Sequence, residues 1–235
     1  VDVNIGLYSG VSAGRANERR MEAITANLAN VDTPGYKRLS TATKAFQVPG
    51  GGKTDLQLSA FSVVDFTQGD LRTSSNPYHL ALMGEGFFAV EGPVGELYTR
   101  RGAFHVGQDG VLLTDEGYPV AWESNPAPID PTGDIVTVDG SGFMRQGSAG
   151  IGRIKFVDFA NPQQLAGIGG GYFTGNVGAG EQPASADVHQ HRLEASNVSS
   201  VDELVEMIAI QRSFESSRNV MQLIDQSYGR LTSMR

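Results

Sequence analysis

The feature that most constrains this chain is its last helical stretch. Residues 201–234 contain no proline and a single glycine, Gly229. Ser200 and Glu203 stand at capping-box spacing, so each can satisfy an open backbone donor of the first turn. Val201, Leu204, Val205 and Ile208 recur at the steps of one helix face, and Phe214, Met221, Ile224, Tyr228 and Leu231 continue at helical intervals. At 1.5 Å per residue such a helix is on the order of 50 Å long. A helix of that length with one apolar stripe needs a long partner surface.

Residues 5–31 offer the one comparable stretch. Leu7, Val11, Met21, Ile24 and Leu28 share a helix face, and five alanines between Ala13 and Ala29 favour the helix. It stops at Asn30-Val31-Asp32-Thr33-Pro34-Gly35, where Pro34 disfavours helical geometry at Thr33 and Gly35 permits a turn. The pattern predicts an α+β fold: long N- and C-terminal helices paired coiled-coil-like, with an antiparallel β domain inserted between them. The seam is imperfect, because Gln211, Glu215 and Arg218 fall near it, which suits an assembly where several chains share the core.

Between the helices, short apolar runs alternate with turn residues. Gly86-Phe87-Phe88-Ala89-Val90, Leu97-Tyr98-Thr99, Ala103-Phe104-His105-Val106, Val111-Leu112-Leu113-Thr114, Tyr118-Pro119-Val120-Ala121-Trp122 and residues 135–138 and 151–159 read as strands. Gln108-Asp109-Gly110 and Asp115-Glu116-Gly117 read as hairpin turns. The division expected is a helical assembly domain from residues 1–40 and 196–235, a linker at 41–60 containing Pro49-Gly50-Gly51-Gly52, and a β domain at 61–190. Residues 160–195 look like the way out of it.

Composition narrows the function. Hydrophobic residues make up 40% of the 235, which is globular rather than disordered. The net charge is −8, and the densest basic run, Arg15 with Arg19 and Arg20, reads as a solvated face. Neither nucleic acid nor an anionic membrane is an expected partner. There are no cysteines, which excludes disulfides, thiolate metal sites and cysteine nucleophiles. No window approaches the roughly 18 apolar residues of a membrane span, so direct membrane insertion is not expected. No secretory signal is visible at the start, so any export is expected to use a route without one.

Motifs that suggest chemistry are weak in context. Gly10-Val11-Ser12-Ala13-Gly14 has the spacing of a nucleophile elbow, but it lies within a helical stretch with no strand before it. Gly84-Glu85-Gly86-Phe87-Phe88-Ala89 resembles a degenerate dinucleotide fingerprint, but Phe87-Phe88 favours a strand where a helix would have to begin. His189 and His191 with Asp187 have a metal-compatible spacing in a polar segment. The acidic residues from Asp109 to Asp139 sit mostly beside Gly or Pro, as turn formers do. The expectation is a non-enzyme with no catalytic, cofactor or metal-binding residues.

Longer strings carry a resemblance. Residues 26–37, Ala-Asn-Leu-Ala-Asn-Val-Asp-Thr-Pro-Gly-Tyr-Lys, closely resemble the N-terminal signature of bacterial flagellar axial proteins of the rod and hook. Residues 68–71, 80–90 and 98–104 support it, as do 193–198 and 207–215. The resemblance implies a subunit of the flagellar basal-body rod that crosses the periplasm. It implies export by the flagellar type III apparatus without a cleaved signal, and as partners other rod proteins and copies of the chain itself. The chain is short for a hook protein. The short span after Tyr36 favours the proximal, FlgF-type rod proteins, whereas residues 161–165 and 193–198 also resemble the distal, FlgG type.

On that reading, function is polymerisation into a stiff helical tube that transmits torque, through an interface that does not close on itself. Leu204, Ile208, Phe214, Met221 and Ile224 are expected to pack against Val11, Met21, Ile24 and Leu28 and against neighbouring subunits. Gln211, Arg212, Pro34 and Gly35 join the expected interface. Asn27 and Asn30, three apart on a helix, are read either as capping residues or as donors to neighbouring backbone. An isolated subunit satisfies only part of this surface, so the termini are expected to order on incorporation.

Overall fold

A computed structural model describes the backbone of residues 3–50, 53–93, 95–176 and 178–233, and the side-chain surroundings of 12, 14–44, 61–93, 95–176, 178–219 and 222. Helix α1 (Val3–Ala29) ends ahead of Pro34, and helix α2 (Ser200–Ser233) closes the described chain. Between them run seventeen described strands, all short except the first two, β1 (Leu39–Gly50) and β2 (Lys53–Val64). The chain divides into two compact units. Unit 1 comprises Val1–Ala29, Arg38–Asp65 and Val198–Arg235; unit 2 comprises Asn30–Lys37 and Phe66–Asn197.

In unit 1, β1 and β2 pair antiparallel in unbroken register from Leu39 opposite Val64 to Gly50 opposite Lys53. The sequence of residues 41–60, expected as a linker, supports this hairpin in retrospect. Leu56, Leu58 and Ala60 alternate with Gln57 and Ser59, and Gly50 stands opposite Lys53 at the end of the ladder. A two-stranded hairpin alone is marginal in water. Helix α1 packs against it, burying Ile24 and Ala23.

The hairpin overturns the expected frame. The fold is β-rich, and no long coiled-coil-like pair of terminal helices organises it. Helix α1 packs on β1 and β2 as well as on α2, so the hairpin shares the surface that the sequence pattern gave to the other helix alone. The apolar stripe chosen for the seam is not buried in one. Among the described residues of α2 the buried positions are Glu203 and Ile210; at 100° per residue Val201, Leu204, Val205 and Ile208 fall mostly on the other side of the helix, and they are exposed. The cap also moves by one residue: the Asp202 N–H bonds to Ser199 Oγ at 3.4 Å, so Ser199 is the capping residue.

Unit 2 is an antiparallel β structure. Its largest sheet has six strands in the order Ala166–Gly169, Tyr172–Thr174, Gly95–Thr99, Phe87–Gly92, Phe156–Phe159, Glu181–Pro183. Strand Phe87–Gly92 is apolar without alternation because both faces are covered. Phe88 and Val90 belong to a core with Leu80, Phe104, Leu112 and Met144. On the other side Phe87 meets Phe66 edge-on at 5.5 Å, and Phe66 meets Phe173 at 5.3 Å. The two turns read from the sequence hold, with Gly110 and Gly117 both at positive φ. Segment 160–195, expected to be mostly linker, contributes five short strands. Two of them are fully exposed and too glycine-rich or polar to show a strand pattern.

Candidate assembly surface

The first four turns of α2 present two opposite faces. The inward face carries Glu203, fully buried, and Ile210. Arg38, at the start of β1, donates to Glu203 Oε1 at 2.5 Å and to Glu206 Oε2 at 3.2 Å. The hydrogen bond to Glu203 raises the Arg38 pKa above the usual guanidinium value, against the opposing effect of burial. Glu203 Oε2 is buried without a hydrogen-bond partner among the described residues. The outward face carries Val201, Leu204, Val205 and Ile208, exposed by 68, 47, 62 and 51%. Four branched apolar side chains at successive helical positions make a continuous stripe in water, which differs from scattered surface hydrophobics. Gln211 and Arg212 are exposed just beyond it. Phe214 is exposed by 49% but lies around the helix from the stripe, bordering an apolar groove with Gly14, Met21 and Ala26 of α1.

On α1, Ile24 and Asn27 are buried, and Met21 and Leu28 are half-buried. Asn27 has both halves of its amide engaged within the subunit. Its Nδ2 donates to the Leu39 carbonyl at 2.8 Å, and the Leu39 N–H donates to its Oδ1 at 2.8 Å. Asn30 lies in the following turn of unit 2, where its Oδ1 accepts from Thr33 Oγ1 at 3.1 Å. The side chains of Val11, Met221 and Ile224 lie outside the described residues.

The turn after α1 is held inside unit 2. Pro34 is half-buried. Gly35 is buried at φ +68°, and a Cβ there would collide with the Arg100 backbone. The Gly35 N–H donates to the Glu194 carbonyl at 2.7 Å. Lys37, 1% exposed, donates to Glu194 Oε1 at 2.6 Å. Arg100 Nη1 meets Glu194 Oε2 at 3.3 Å, and its Nη2 donates to the Gly84 carbonyl at 2.6 Å. Burial lowers the Arg100 pKa from the usual guanidinium value, and Glu194 opposes that shift. Sequence reasoning passed over Lys37, Arg100, Glu194 and Arg38, and read Glu203 as a capping residue where it pairs with Arg38. Lys37 and Glu194 stand 157 positions apart, so no local spacing announces their pairing.

The motifs set aside earlier lie where their contexts indicated. Gly10 and Gly14 fall inside α1, and Gly86 opens a strand. Asp187 and His189 sit on strand Asp187–Gln190, and His191 follows it on an exposed turn at φ 58°.

Comparisons with known proteins fall on the same segments. Residues 7–37 match the family model described as flagella basal body rod protein. Residues 81–145 match the flagellar hook protein FlgE/F/G D1 domain, and 189–234 match the flagellar basal body rod FlgEFG protein C-terminal model. The flagellar basal-body rod protein FlgF of Caulobacter vibrioides is 34% identical over 92% of this chain and 91% of its own length. The chain belongs to the flagellar basal-body rod protein family. Among other rod-family relatives, FlgG of Agrobacterium fabrum is 32% identical over 90% of this chain and 92% of its own length. FlgF of Salmonella typhimurium is 30% identical over 97% of both. FlgF and FlgG relatives thus match over nearly the same extent. Within the rod-family matches, Lys37 ends the N-terminal segment and Glu194 falls in the C-terminal one.

Proposed function

We propose that this chain is a structural, non-catalytic subunit of the flagellar basal-body rod, which polymerises through the outward face of α2 into a helical shaft that transmits torque. The observation that carries this reading is the exposed stripe Val201, Leu204, Val205 and Ile208, on a helix whose other face is already packed. Covering such side chains contributes roughly 1.5–3 kcal/mol each, enough to drive association of many copies. A stripe that meets a different surface on the next copy leaves the same stripe open at the growing end, so the assembly extends. Leu204 and Ile208 are the central interface residues on this reading, with Gln211 and Arg212 at the rim.

The partners are copies of this chain, neighbouring rod proteins and the flagellar type III export apparatus, and the place is the rod crossing the periplasm. The short span from Tyr36 to the β structure supports the proximal, FlgF-type position. The FlgG relatives support the distal position as the alternative. Image reconstruction of basal bodies separates them: a short adapter layer below the distal rod is expected, and many stacked turns reaching the hook would make it the distal type.

The direct test is Leu204→Ser with Ile208→Ser. The isolated chain is expected to keep its fold while rods fail to form; normal rods would overturn the reading. Amide hydrogens of the terminal helices are expected to exchange readily in the free chain and slowly in the rod. Full protection of both helices in the free chain would remove that part of the proposal.

A further inference from the structure

The chain passes between unit 1 and unit 2 four times, after residues 29, 37, 65 and 197. Inside unit 2, the segments that adjoin these passages are tied to one another. Lys37 Nζ donates to Glu194 Oε1 at 2.6 Å and to the Thr67 carbonyl at 2.7 Å. The Gly69 N–H donates to the same Glu194 oxygen at 3.1 Å. Asn197 Nδ2 donates to the Thr67 carbonyl and hydroxyl, each at 3.1 Å. Gly35 and Gly69 allow the close approach, since a Cβ on Gly69 would run into the Ala195 carbonyl. Arg100 joins this knot to the body of unit 2 through the other Glu194 oxygen, and its guanidinium lies 5.5 Å from the centre of the Phe87 ring.

Three charged side chains, each at most 4% exposed, are a costly way to fill space. Apolar residues of the same volume often stabilise a fold as well or better, because burying charge carries a large desolvation penalty. What an ion cluster provides and an apolar plug does not is direction: each oxygen of Glu194 is fixed on named donors from different chain segments.

We propose that Lys37, Glu194 and Arg100 form a load-sharing clamp. They bind the segments by which the chain enters and leaves unit 2 into one bundle, so that strain arriving along one segment is carried by all. The load rests on the rod reading above, whereas the bundling does not depend on it. Lys37 and Glu194 are positioning residues in this scheme.

The test compares the full-length wild-type chain with Lys37→Met, Glu194→Gln and, as a control, Glu96→Gln, whose carboxylate pairs with Lys155 near the surface of unit 2. Hydrogen exchange read by mass spectrometry is expected to rise about tenfold in residues 30–37, 66–70 and 192–197 of both clamp variants. Amides of the Phe87–Gly92 strand and the control are expected to stay unchanged. No rise, or an equal rise everywhere, overturns the clamp. If Glu194→Gln unfolds unit 2 outright, Lys37→Met, which keeps the Arg100–Glu194 pair, decides by the same criteria. In cells whose only copy is Lys37→Met, swimming speed is expected to match wild type in thin medium and to fall in viscous medium. A loss equal at every viscosity, including failure to build a rod, overturns load sharing. Failure of the rod reading looks different: the wild-type chain itself would be missing from basal bodies.

Discussion

Units 1 and 2 manage their buried charge and their apolar surface differently. In unit 2, Glu194 uses both oxygens on buried donors, and the aromatic residues on each side of strand Phe87–Gly92 are covered. In unit 1, Glu203 keeps one oxygen without a described partner, its cation Arg38 is 30% exposed, and the best apolar stripe of α2 faces water. Among the described residues, unit 2 leaves Arg100 Nε without a partner and exposes only scattered large apolar side chains such as Ile135 and Ile168, whereas unit 1 exposes a continuous stripe. The lesson is that apolar periodicity identifies a face without saying whether the same chain covers it.

The sharpest way to break this contrast is to damage the complete unit. Phe88→Ala removes a fully buried ring from the core and is expected to cost about 3–5 kcal/mol, read as a lowered denaturation midpoint. A cost below about 1 kcal/mol would show that unit 2 is less tightly packed than it looks. Next comes Asn27→Ala in unit 1, which strands the Leu39 N–H and carbonyl and is expected to cost about 2–3 kcal/mol. Asn30→Ala loses the half-buried contact with the Thr33 hydroxyl and is expected to cost less, roughly 0.5–1 kcal/mol. Equal effects of the two would remove the distinction between them. His191→Gly is expected to stabilise by about 1 kcal/mol, because His191 holds a left-handed conformation that costs a side-chain-bearing residue. Leu204→Ala, on the outward stripe, is expected to change the isolated chain by no more than about 0.5 kcal/mol.

The smallest effect concerns pH. Burial pushes the Glu116 carboxyl upward, but the Tyr172 hydroxyl and Arg101 outweigh it and hold the pKa below the ordinary glutamate value. A carboxylate depressed in the folded state adds stability above its unfolded pKa and loses it as pH falls through the folded one. Melting temperature is therefore expected to drop on acidification through the carboxylate range, and slightly less in Glu116→Gln. Identical pH profiles would show that the Glu116 carboxylate contributes nothing.

Much of unit 2 was legible because its strands are bounded by turn residues with a steric reason to be there. Gly110 and Gly117 needed positive φ, and the runs at Phe87 and Leu112 had the length and composition of strands. The hairpin of unit 1 was hidden by Pro49 and Gly50, which suggested a linker where they are the last residues of a long strand. Missing it left α1 with α2 as its one expected partner, and so produced the coiled-coil-like frame. The charged knot around Glu194 was illegible for a different reason. Lys37, Gly69, Arg100 and Glu194 are drawn together by folding from four distant places, and each alone looks like a surface charge or a turn glycine.

The amide of Asn27 has one more consequence. By accepting from the Leu39 N–H and donating to its carbonyl, it does what a peptide group on an adjacent strand would do. A two-stranded ribbon has open edges, and an open edge invites a foreign strand to add itself. At the base of β1 that position is already occupied, by a side chain that cannot itself be extended. At Leu39 the ribbon therefore offers a foreign strand no free backbone pair.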